Sequence, residues 1–404
     1  RITKTRARIR IGTLNIKGYG SDIRNGVSGK WLLINQLMKE NKLSVLAIQE
    51  THLTQDRAND LTRLFGPRLK FFVSNHPTSP SRAAGIAFVL NMELHGSDGA
   101  TCREIVPGRA AALTMPWGKN RQISILNVYA PNDATENASF WTTLRDEYNA
   151  NQTFRPDVVA GDFNMVESAA DRYPHRHDPQ RTVTALSEMK TAMKLVDTWR
   201  QSHPNDNLYT YLQLGTGSQS RLDRVYTTAK ISPAVADWEC TITGISTDHS
   251  LVSMSIARYN EPEVGRGRWA MPISLLDDPP FCDTLRKLGM DLQTKLDAIS
   301  ERSANENPQL EFARFKELIK SEARKRVACK TSKANAKICR AKQRLEAHMS
   351  RTDNPTQTDR ETSEILRVQL KELEAKRFNH RRTANAAKDW TLGERIGKYW
   401  MKVN

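Results

Sequence analysis

Short apolar runs, each bounded by Gly, Pro, Asn or Asp, recur from Arg8 to about Ala257. Such runs, rich in Val, Ile and Phe, are typical of β-strands, whereas apolar residues at helical spacing indicate helices. The predicted strands are Arg10–Asn15, Ser44–Gln49, Lys70–Ser74, Gly85–Leu90, Ala110–Met115, Gln122–Tyr129, Val158–Gly161, Leu222–Tyr226 and Ser250–Ile256. The predicted helices are Trp31–Glu40, Phe140–Asn149 and Val183–Thr198. This alternation favours an α/β fold in which two sheets pack face to face, with helices outside.

The pattern changes near Tyr259, which predicts a first domain over 1–258, a linker over 259–272 and a helical region over 273–404. The linker is rich in Gly, Pro and charged residues. Beyond it, helical spacing predicts a helix over Glu311–Arg344, prolonged towards Met349, and a second helix from about Thr362. Asp353-Asn354-Pro355-Thr356 separates them, which indicates an antiparallel helical hairpin.

Charge and cysteine usage narrow the class of protein. The formal net charge of +16 favours a polyanionic partner such as nucleic acid. From Ala323 to Arg344 there are nine Lys or Arg and no acidic residue, so the helical region is a basic arm. No apolar run reaches transmembrane length and no signal-peptide core follows Arg1, so no membrane partner is expected. The five cysteines form no C-x-x-C pair, which argues against a disulfide framework or a zinc site and favours a reducing compartment. Without an initiator methionine, the chain is interpreted as a segment of a longer protein.

Polar residues stand where apolar runs end or begin, and together they suit phosphodiester hydrolysis. The set comprises Asn15, Glu50, Tyr129, Asn132, Asp162, Asn164, Asp223 and His249. Such hydrolysis needs a metal at the phosphate oxygens, a base for the water and a donor opposite. Glu50 is the best candidate ligand for Mg²⁺, or Mn²⁺, because hard cations prefer oxygen. Asp162 would activate water, Asn164 would bond the developing charge, and His249 would pair with Asp223. Tyr129 and Asn132 would contact phosphate.

Each of these residues also has an ordinary structural interpretation when it is taken alone. Glu50 fits a solvated acid at a strand end, and Asp162-Phe163-Asn164 fits a turn. His249 fits a structural histidine, and Asp223 fits an ion pair with a neighbouring arginine. The coincidence of all of them along one chain is what favours a catalytic site.

The full set of motifs resembles the endonuclease/exonuclease/phosphatase superfamily. The residues that carry the resemblance are Asn15, Gln49-Glu50, Tyr129-x-Pro131-Asn132, Gly161-Asp162-x-Asn164, Ser220-Arg221-Leu222-Asp223 and Ser246-Thr247-Asp248-His249. Their order looks like that of the apurinic-endonuclease-like domain of LINE-type (non-LTR) retrotransposons. The resemblance implies a four-layer α/β/β/α sandwich and Mg²⁺-dependent nicking of double-stranded target DNA. It further implies that Asn15 and Glu50 hold the metal region and that Asp248 lies close to the metal.

One position departs from the apurinic repair enzymes, which carry an acid two residues after the first asparagine. Here that position is Lys17, in Asn15-Ile16-Lys17-Gly18. A lysine does not ligate a metal, so this departure argues against a second metal and against a repair enzyme.

A second resemblance covers the C-terminal part. Gly265-x-Gly267-Arg268-Trp269 and the segment from Leu392 to Trp400 look like the linker that precedes a retrotransposon reverse transcriptase. No Tyr/Phe-x-Asp-Asp polymerase motif is present, so this segment is not expected to copy RNA. Two interpretations of the basic arm stay open: it binds element RNA or target DNA, or it is a solvated spacer.

The expected function is therefore a retrotransposon endonuclease that nicks target DNA to leave a 3′-hydroxyl primer for reverse transcription. Arg82, Asn132, Ser220 and Arg221 are expected to contact DNA. The nucleus is the expected site of action after synthesis in the cytoplasm, and no small-molecule cofactor is expected. Two alternatives remain at this stage, an apurinic/apyrimidinic repair endonuclease and a catalytically decayed nucleic-acid-binding module.

Overall fold

The structure is a computed structural model, and it describes residues 8–20, 23–24, 27–66, 68–94, 99–117, 121–213, 216–257, 271–272, 275–299, 302–303, 307–349 and 356–393. Its strands in chain order are β1 (Arg8–Asn15), β2 (Ile23–Arg24), β3 (Val27–Ser28), β4 (Val45–Gln49), β5 (Leu69–Ser74), β6 (Ile86–Asn91), β7 (Thr101–Val106), β8 (Ala110–Pro116), β9 (Gln122–Tyr129), β10 (Val158–Asp162), β11 (Arg172–Tyr173), β12 (Leu195–Val196), β13 (Tyr211–Leu212), β14 (Gln219–Ser220), β15 (Asp223–Thr228), β16 (Val235–Thr241) and β17 (Leu251–Ala257). Its α-helices are α1 (Gly29–Glu40), α2 (Gln55–Phe65), α3 (Ala134–Ala150), α4 (Gln180–Ala192), α5 (Thr198–Ser202), α6 (Pro279–Asp297), α7 (Pro308–Met349) and α8 (Gln357–Gly393).

Two six-stranded mixed sheets form the centre of the first part of the chain. The first sheet has the order β16-β17-β1-β4-β6-β5, and the second has the order β12-β15-β10-β9-β8-β7. Each contains one parallel pair at its middle, β1 with β4 and β9 with β10. Because parallel neighbours end at the same edge, each sheet collects the residues that follow two central strands.

The packing between and outside the sheets gives four layers. Apolar side chains of both inner faces, such as Ile11, Phe88, Leu113 and Ile125, make one buried cluster between the sheets. A second cluster joins the outer face of the second sheet to α3 and α4. On the first sheet, α1 and α2 bury residues that include Trp31 and Leu61. The predicted α/β/β/α sandwich, followed by a helical region, is confirmed.

The differences from the predicted elements concern edges and a helix end. The edge strands β7 and β16 were not predicted, because their residues are mostly partly exposed and lack a continuous apolar run. Helix α2 was also missed, although Thr54 caps it by accepting a hydrogen bond from the Arg57 amide. The predicted helix Val183–Thr198 ends at Ala192, because Lys194 adopts a left-handed φ of 54° before the short strand β12.

The described part of the C-terminal region is helical. By compactness the chain divides into two units, and the segment Leu345–Lys371 belongs with the sandwich in the first. The second unit contains α6 and most of α7, joined by Phe281 and Ala323 in a small apolar cluster and by Asp278 paired with Arg326. The linker over 259–270 and the motif from Glu394 to Trp400 lie outside the described residues. None of the described helices is long and apolar enough to cross a membrane.

Candidate active site

The predicted site residues of the sandwich meet at one edge of the two sheets. In the first sheet Asn15 ends β1 beside Gln49 of the parallel strand β4, so Glu50 follows directly. In the second sheet Asp162 ends β10 between Tyr129 of β9 and Asp223 of β15. His249 lies just before β17, which runs antiparallel to β1 and therefore begins at the same edge. Residues up to 234 positions apart thus come together, from Asn15 to His249.

Asn15 joins the two sheets at this edge. Its side-chain Nδ2 donates to Glu50 Oε1 at 2.8 Å and to Asp162 Oδ2 at 2.9 Å. The Tyr129 hydroxyl donates to the same Glu50 oxygen at 3.0 Å, and burial next to Glu50 raises the Tyr129 pKa well above its usual range. Asn15 Oδ1 accepts from the Lys17 amide, so in this structure Asn15 positions two carboxylates.

His249 forms a buried pair with Asp223. The His249 Nδ1 and Asp223 Oδ2 atoms are 2.9 Å apart, and His249 Nε2 lies 3.9 Å from Asp162 Oδ2. Burial by itself lowers the pKa of His249, but the carboxylates of Asp223 and Asp162 outweigh it and raise that pKa to about 9. Burial also raises the pKa of Asp162, to about 6. At neutral pH the site therefore holds an imidazolium beside a carboxylate of unusually high basicity.

The loop Thr247–Ser250, which carries His249, is tied down on two sides. The Thr247 hydroxyl donates to the Asn15 carbonyl at 2.8 Å, and the Ser250 amide donates to the Thr210 carbonyl at 2.7 Å. The Tyr211 ring lies 4.9 Å from the His249 ring. Thr210 also accepts from the amides of Leu222 and Asp223 through its hydroxyl. Thr247 was named only as part of the motif Ser246–His249, because its hydrogen bond to Asn15 leaves no local sequence pattern.

The backbone around the motif Gly161–Asn164 explains two of its residues. A Cβ on Gly161 would lie 1.9 Å from the Val128 carbonyl oxygen, so the neighbouring parallel strand excludes any side chain there. Asn164 adopts a left-handed φ of 50°, and its Nδ2 donates to the Ala130 carbonyl at 2.8 Å. Glu50 and Lys17 also have left-handed φ values, of 51° and 52°. Non-glycine residues rarely adopt this region, and such strain is concentrated at functional sites.

A polar chain lies inside the otherwise apolar contact between the sheets, directly beneath the site. Gln49 Nε2 donates to Asn127 Oδ1 at 2.7 Å and to the Thr13 hydroxyl at 3.0 Å. Asn127 Nδ2 in turn donates to the carbonyls of Ile48 and Ala87, both at 3.1 Å. All these side chains are fully buried, so the bonds define where the two sheets sit against each other. Asn127 was not predicted as a functional residue, although an asparagine within the apolar run Gln122–Tyr129 is a visible signal.

The donor set fits a hard divalent cation. Asp162, Asp223 and His249 place potential ligand atoms within 4.8 Å of one another, but His249 as an imidazolium has no free lone pair, so the carboxylates are the donors at neutral pH. Asp223 Oδ1 is buried without a hydrogen-bond partner, and within the described residues Glu50 Oε2 accepts no hydrogen bond. Asp248 is held otherwise, by an ion pair of 2.6 Å with the Lys17 ammonium. Carboxylate oxygens of this kind are what Mg²⁺ prefers.

The four residues predicted to contact DNA fall into two groups. Asn132 and Arg82 are exposed, as that role requires. Arg221, by contrast, is buried and pairs with Asp171 at 2.9 Å and with Asp197 at 2.7 Å. Ser220 is also buried, and its hydroxyl accepts from Arg172. Neither side chain is available to a nucleic acid here, so these two predictions do not agree with the structure.

The family model described as "Endonuclease/Exonuclease/phosphatase family" matches residues 12–249, which include every residue of the edge just described. The chain belongs to this family. The family groups hydrolytic nucleases with phosphatases, and the predicted resemblance is confirmed at that level.

Individual relatives of this endonuclease/exonuclease/phosphatase domain share less than a third of its residues. The chain is 28% identical, over 282 residues, to a curated relative from Xenopus laevis described as "Transposon TX1 uncharacterized 149 kDa protein". The match covers 68% of this chain and 20% of that protein, so the chain spans about a fifth of its relative's length. Among solved structures, the apurinic (AP) endonuclease LMAP of Leishmania major is 19% identical with a TM-score of 0.52, covering 62% of this chain and 88% of that one. This likeness shows a shared fold.

Proposed function

We propose that this chain is a metal-dependent DNA endonuclease that nicks target DNA for a non-LTR retrotransposon. The observation that carries the proposal is the linked set at the sheet edge, in which Asn15 joins Glu50 to Asp162 while Asp223 holds His249 beside them. The buried carboxylates of Asp162 and Asp223 share the single cationic ring of His249, and such an excess of buried negative charge is costly in a purely structural role.

The side chains divide the chemistry of phosphodiester hydrolysis among them. Asp162, ionised at neutral pH yet with a pKa of about 6, accepts a proton from the attacking water. The His249 imidazolium, fixed by Asp223 through Nδ1, donates from Nε2 to the scissile phosphate. Asn164 donates a second hydrogen bond to the developing charge. Glu50 would hold a divalent metal, because within the described residues its Oε2 accepts no hydrogen bond and because the cationic ring of His249 disfavours a dication at Asp162 and Asp223. When bound, the metal neutralises phosphate oxygens and stabilises the leaving group.

The retrotransposon assignment rests on the relative named as a transposon protein. On this proposal the nick leaves a 3′-hydroxyl that primes reverse transcription by another part of a longer protein. The element would act in the nucleus, where its target DNA is, after synthesis in the cytoplasm.

The basic arm supports a second nucleic-acid contact. Lys333, Lys337, Arg340 and Arg344 are exposed on α7 at spacings of four, three and four residues. They therefore form one stripe along one side of the helix. We propose that this stripe binds the phosphates of element RNA or of target DNA, because it lacks interleaved acidic residues.

The first alternative, an AP repair endonuclease, shares the fold but is disfavoured at Lys17. The Lys17 ammonium pairs with Asp248 at 2.6 Å. The repair enzymes carry an acid at the position of Lys17, and that acid could ligate a metal. The second alternative, a decayed binding module, is disfavoured because Asn15 links Glu50 to Asp162 and Asp223 holds His249 at the same edge.

The test is the conversion of supercoiled plasmid to open circle by the full chain with Mg²⁺, with Mn²⁺ or with EDTA. Asp162→Asn is compared with Asp146→Asn, a matched change of an exposed carboxylate on α3. We expect metal-dependent nicking that Asp162→Asn abolishes and Asp146→Asn retains. A polymerase that extends only 3′-hydroxyl ends should then label the nick. Nicking retained in folded Asp162→Asn would refute the proposal, and activity confined to abasic plasmid would favour the repair alternative.

A further inference from the structure

The first turns of α8 pack against the residues that carry His249, although they lie more than a hundred positions away in sequence. The segment Gln357–Lys371, called here the docked segment, belongs to the same compact unit as the sandwich. Its side of contact is buried, with Ser363 fully inaccessible and Leu370 2% exposed. The opposite side carries exposed residues such as Ile365 and Val368.

Arg367 is the central contact of the docked segment. Its Nη1 donates to Gln219 Oε1 at 2.5 Å, and its Nη2 lies 3.4 Å from the Ser250 hydroxyl, next to His249. Gln219 is itself buried and donates from Nε2 to the Ser363 hydroxyl at 3.2 Å. Gln219 lies on β14, which pairs with β13, the strand that brings Tyr211 against His249. Arg367 therefore connects both elements that flank the histidine.

Lys371, one turn further along α8, makes the second contact. Its Nζ donates to the Thr247 carbonyl at 3.0 Å. Thr247 is the residue whose hydroxyl binds the Asn15 carbonyl, so Lys371 supports the loop at the point where it meets β1. With Ser250 bonded to Arg367 and Thr247 bonded to Lys371, both ends of the loop Thr247–Ser250 are held by α8.

Stability alone does not account for a buried arginine here. Within the part of the chain that the structure describes, no carboxylate pairs with Arg367, and burial lowers its pKa. A buried cation without a counter-charge is costly, and an apolar side chain of similar length is usually tolerated in its place. What only the guanidinium provides is a pair of directional hydrogen bonds, one to each element beside His249.

We propose that Arg367 and Lys371 are positioning residues of the nuclease, so that the docked segment of α8 is part of the active site. The expected change in kcat rests on the proposed function, whereas the expected change in the loop Thr247–Ser250 rests on the structure alone. Loss of either side chain should let the loop Thr247–Ser250 shift, and small displacements of a catalytic group reduce turnover strongly.

The kinetic test uses the full chain and the variants Arg367→Met and Lys371→Met. Lys376→Met, which alters an exposed lysine of the same helix, is the matched control. We expect kcat for plasmid nicking to fall by about tenfold or more in both variants, with KM within about twofold of wild type and with melting temperature unchanged. Arg367→Lys, which retains one donor, should recover part of kcat. An unchanged kcat in Arg367→Met would overturn the proposal, and so would a raised KM alone, since that would make these residues substrate contacts.

A second readout does not depend on activity. Hydrogen–deuterium exchange of the peptide containing Thr247–Ser250 reports the Ser250 amide, which donates to the Thr210 carbonyl. Exchange there should be about tenfold faster in Arg367→Met and Lys371→Met than in wild type or Lys376→Met. If wild type nicks no DNA, the proposed function fails while faster exchange still supports the positioning role. Unchanged exchange in both variants would overturn it.

Discussion

Replacing Asp223 by Asn tests whether the charge of His249 depends on its buried partner. The two side chains meet at 2.9 Å, and Asp223, together with Asp162, raises the pKa of His249 to about 9 against the effect of burial. Asparagine preserves the shape and one hydrogen bond but removes the negative charge. The histidine pKa should then fall towards its ordinary value of about 6.5, because only the more distant carboxylates of Asp162 and Asp248 remain to oppose burial. A complete fall corresponds to about 3 kcal/mol of lost stabilisation of the imidazolium.

The assay is the pH dependence of kcat for plasmid nicking between pH 5 and 10. In wild type the rate should fall below about pH 6, where Asp162 takes up a proton, and above about pH 9, where His249 loses its proton. In Asp223→Asn the alkaline limb should move from about pH 9 towards about pH 6.5, so that kcat at pH 7.5 drops by up to roughly tenfold from deprotonation alone. An alkaline limb that stays near pH 9 in a folded Asp223→Asn protein would refute the reasoning.

Three further predictions follow from other contacts. Asp162→Asn should lower kcat roughly a thousandfold. Its free energy of unfolding in urea should not fall, because burial disfavours the Asp162 carboxylate, as its raised pKa shows, and the substitution removes that charge. Gly161→Ala should destabilise the fold by about 3 kcal/mol or more in the same urea titration, since its Cβ would meet the Val128 carbonyl at 1.9 Å. Nucleic-acid binding should depend less on salt in the triple variant with Gln at Lys333, Lys337 and Arg340. The slope of the logarithm of the association constant against the logarithm of the salt concentration should fall in magnitude by about 2 to 3. An unchanged slope would exclude the stripe on α7 as a binding surface.

The strand ends of the site could be predicted because they leave a local pattern. Asn15, Glu50, Asp162 and His249 each adjoin a buried apolar run, and the parallel pairing of central strands brings such ends to one edge. The core strands were predicted for the same reason, since their residues are buried on both faces. The edge strand β7 was not, because its residues are exposed or partly exposed and form no buried apolar run.

Interactions between distant residues could not be predicted from local sequence. Arg221 stands in a motif that suggests a DNA contact, yet Asp171 and Asp197, 50 and 24 residues away, neutralise it in the interior. Arg367 similarly stands in a helix of surface-like composition, and only the fold brings it to Ser250. In both cases the decisive partner is set by tertiary packing.

The polar chain of Thr13, Gln49 and Asn127 has a consequence for how the sandwich tolerates change. Apolar faces attract one another without preferring a lateral offset, so two sheets held by hydrophobic contact alone could settle in several alignments. Directional bonds between Gln49 and Asn127 select one of these alignments. Glu50 follows Gln49 directly, and Tyr129 lies two residues beyond Asn127. The buried bond between Gln49 and Asn127 therefore sets the relative position of the two halves of the catalytic edge. Substitutions in this polar chain that leave the apolar core intact should therefore lower the catalytic rate by shifting one sheet against the other, even where the protein still folds.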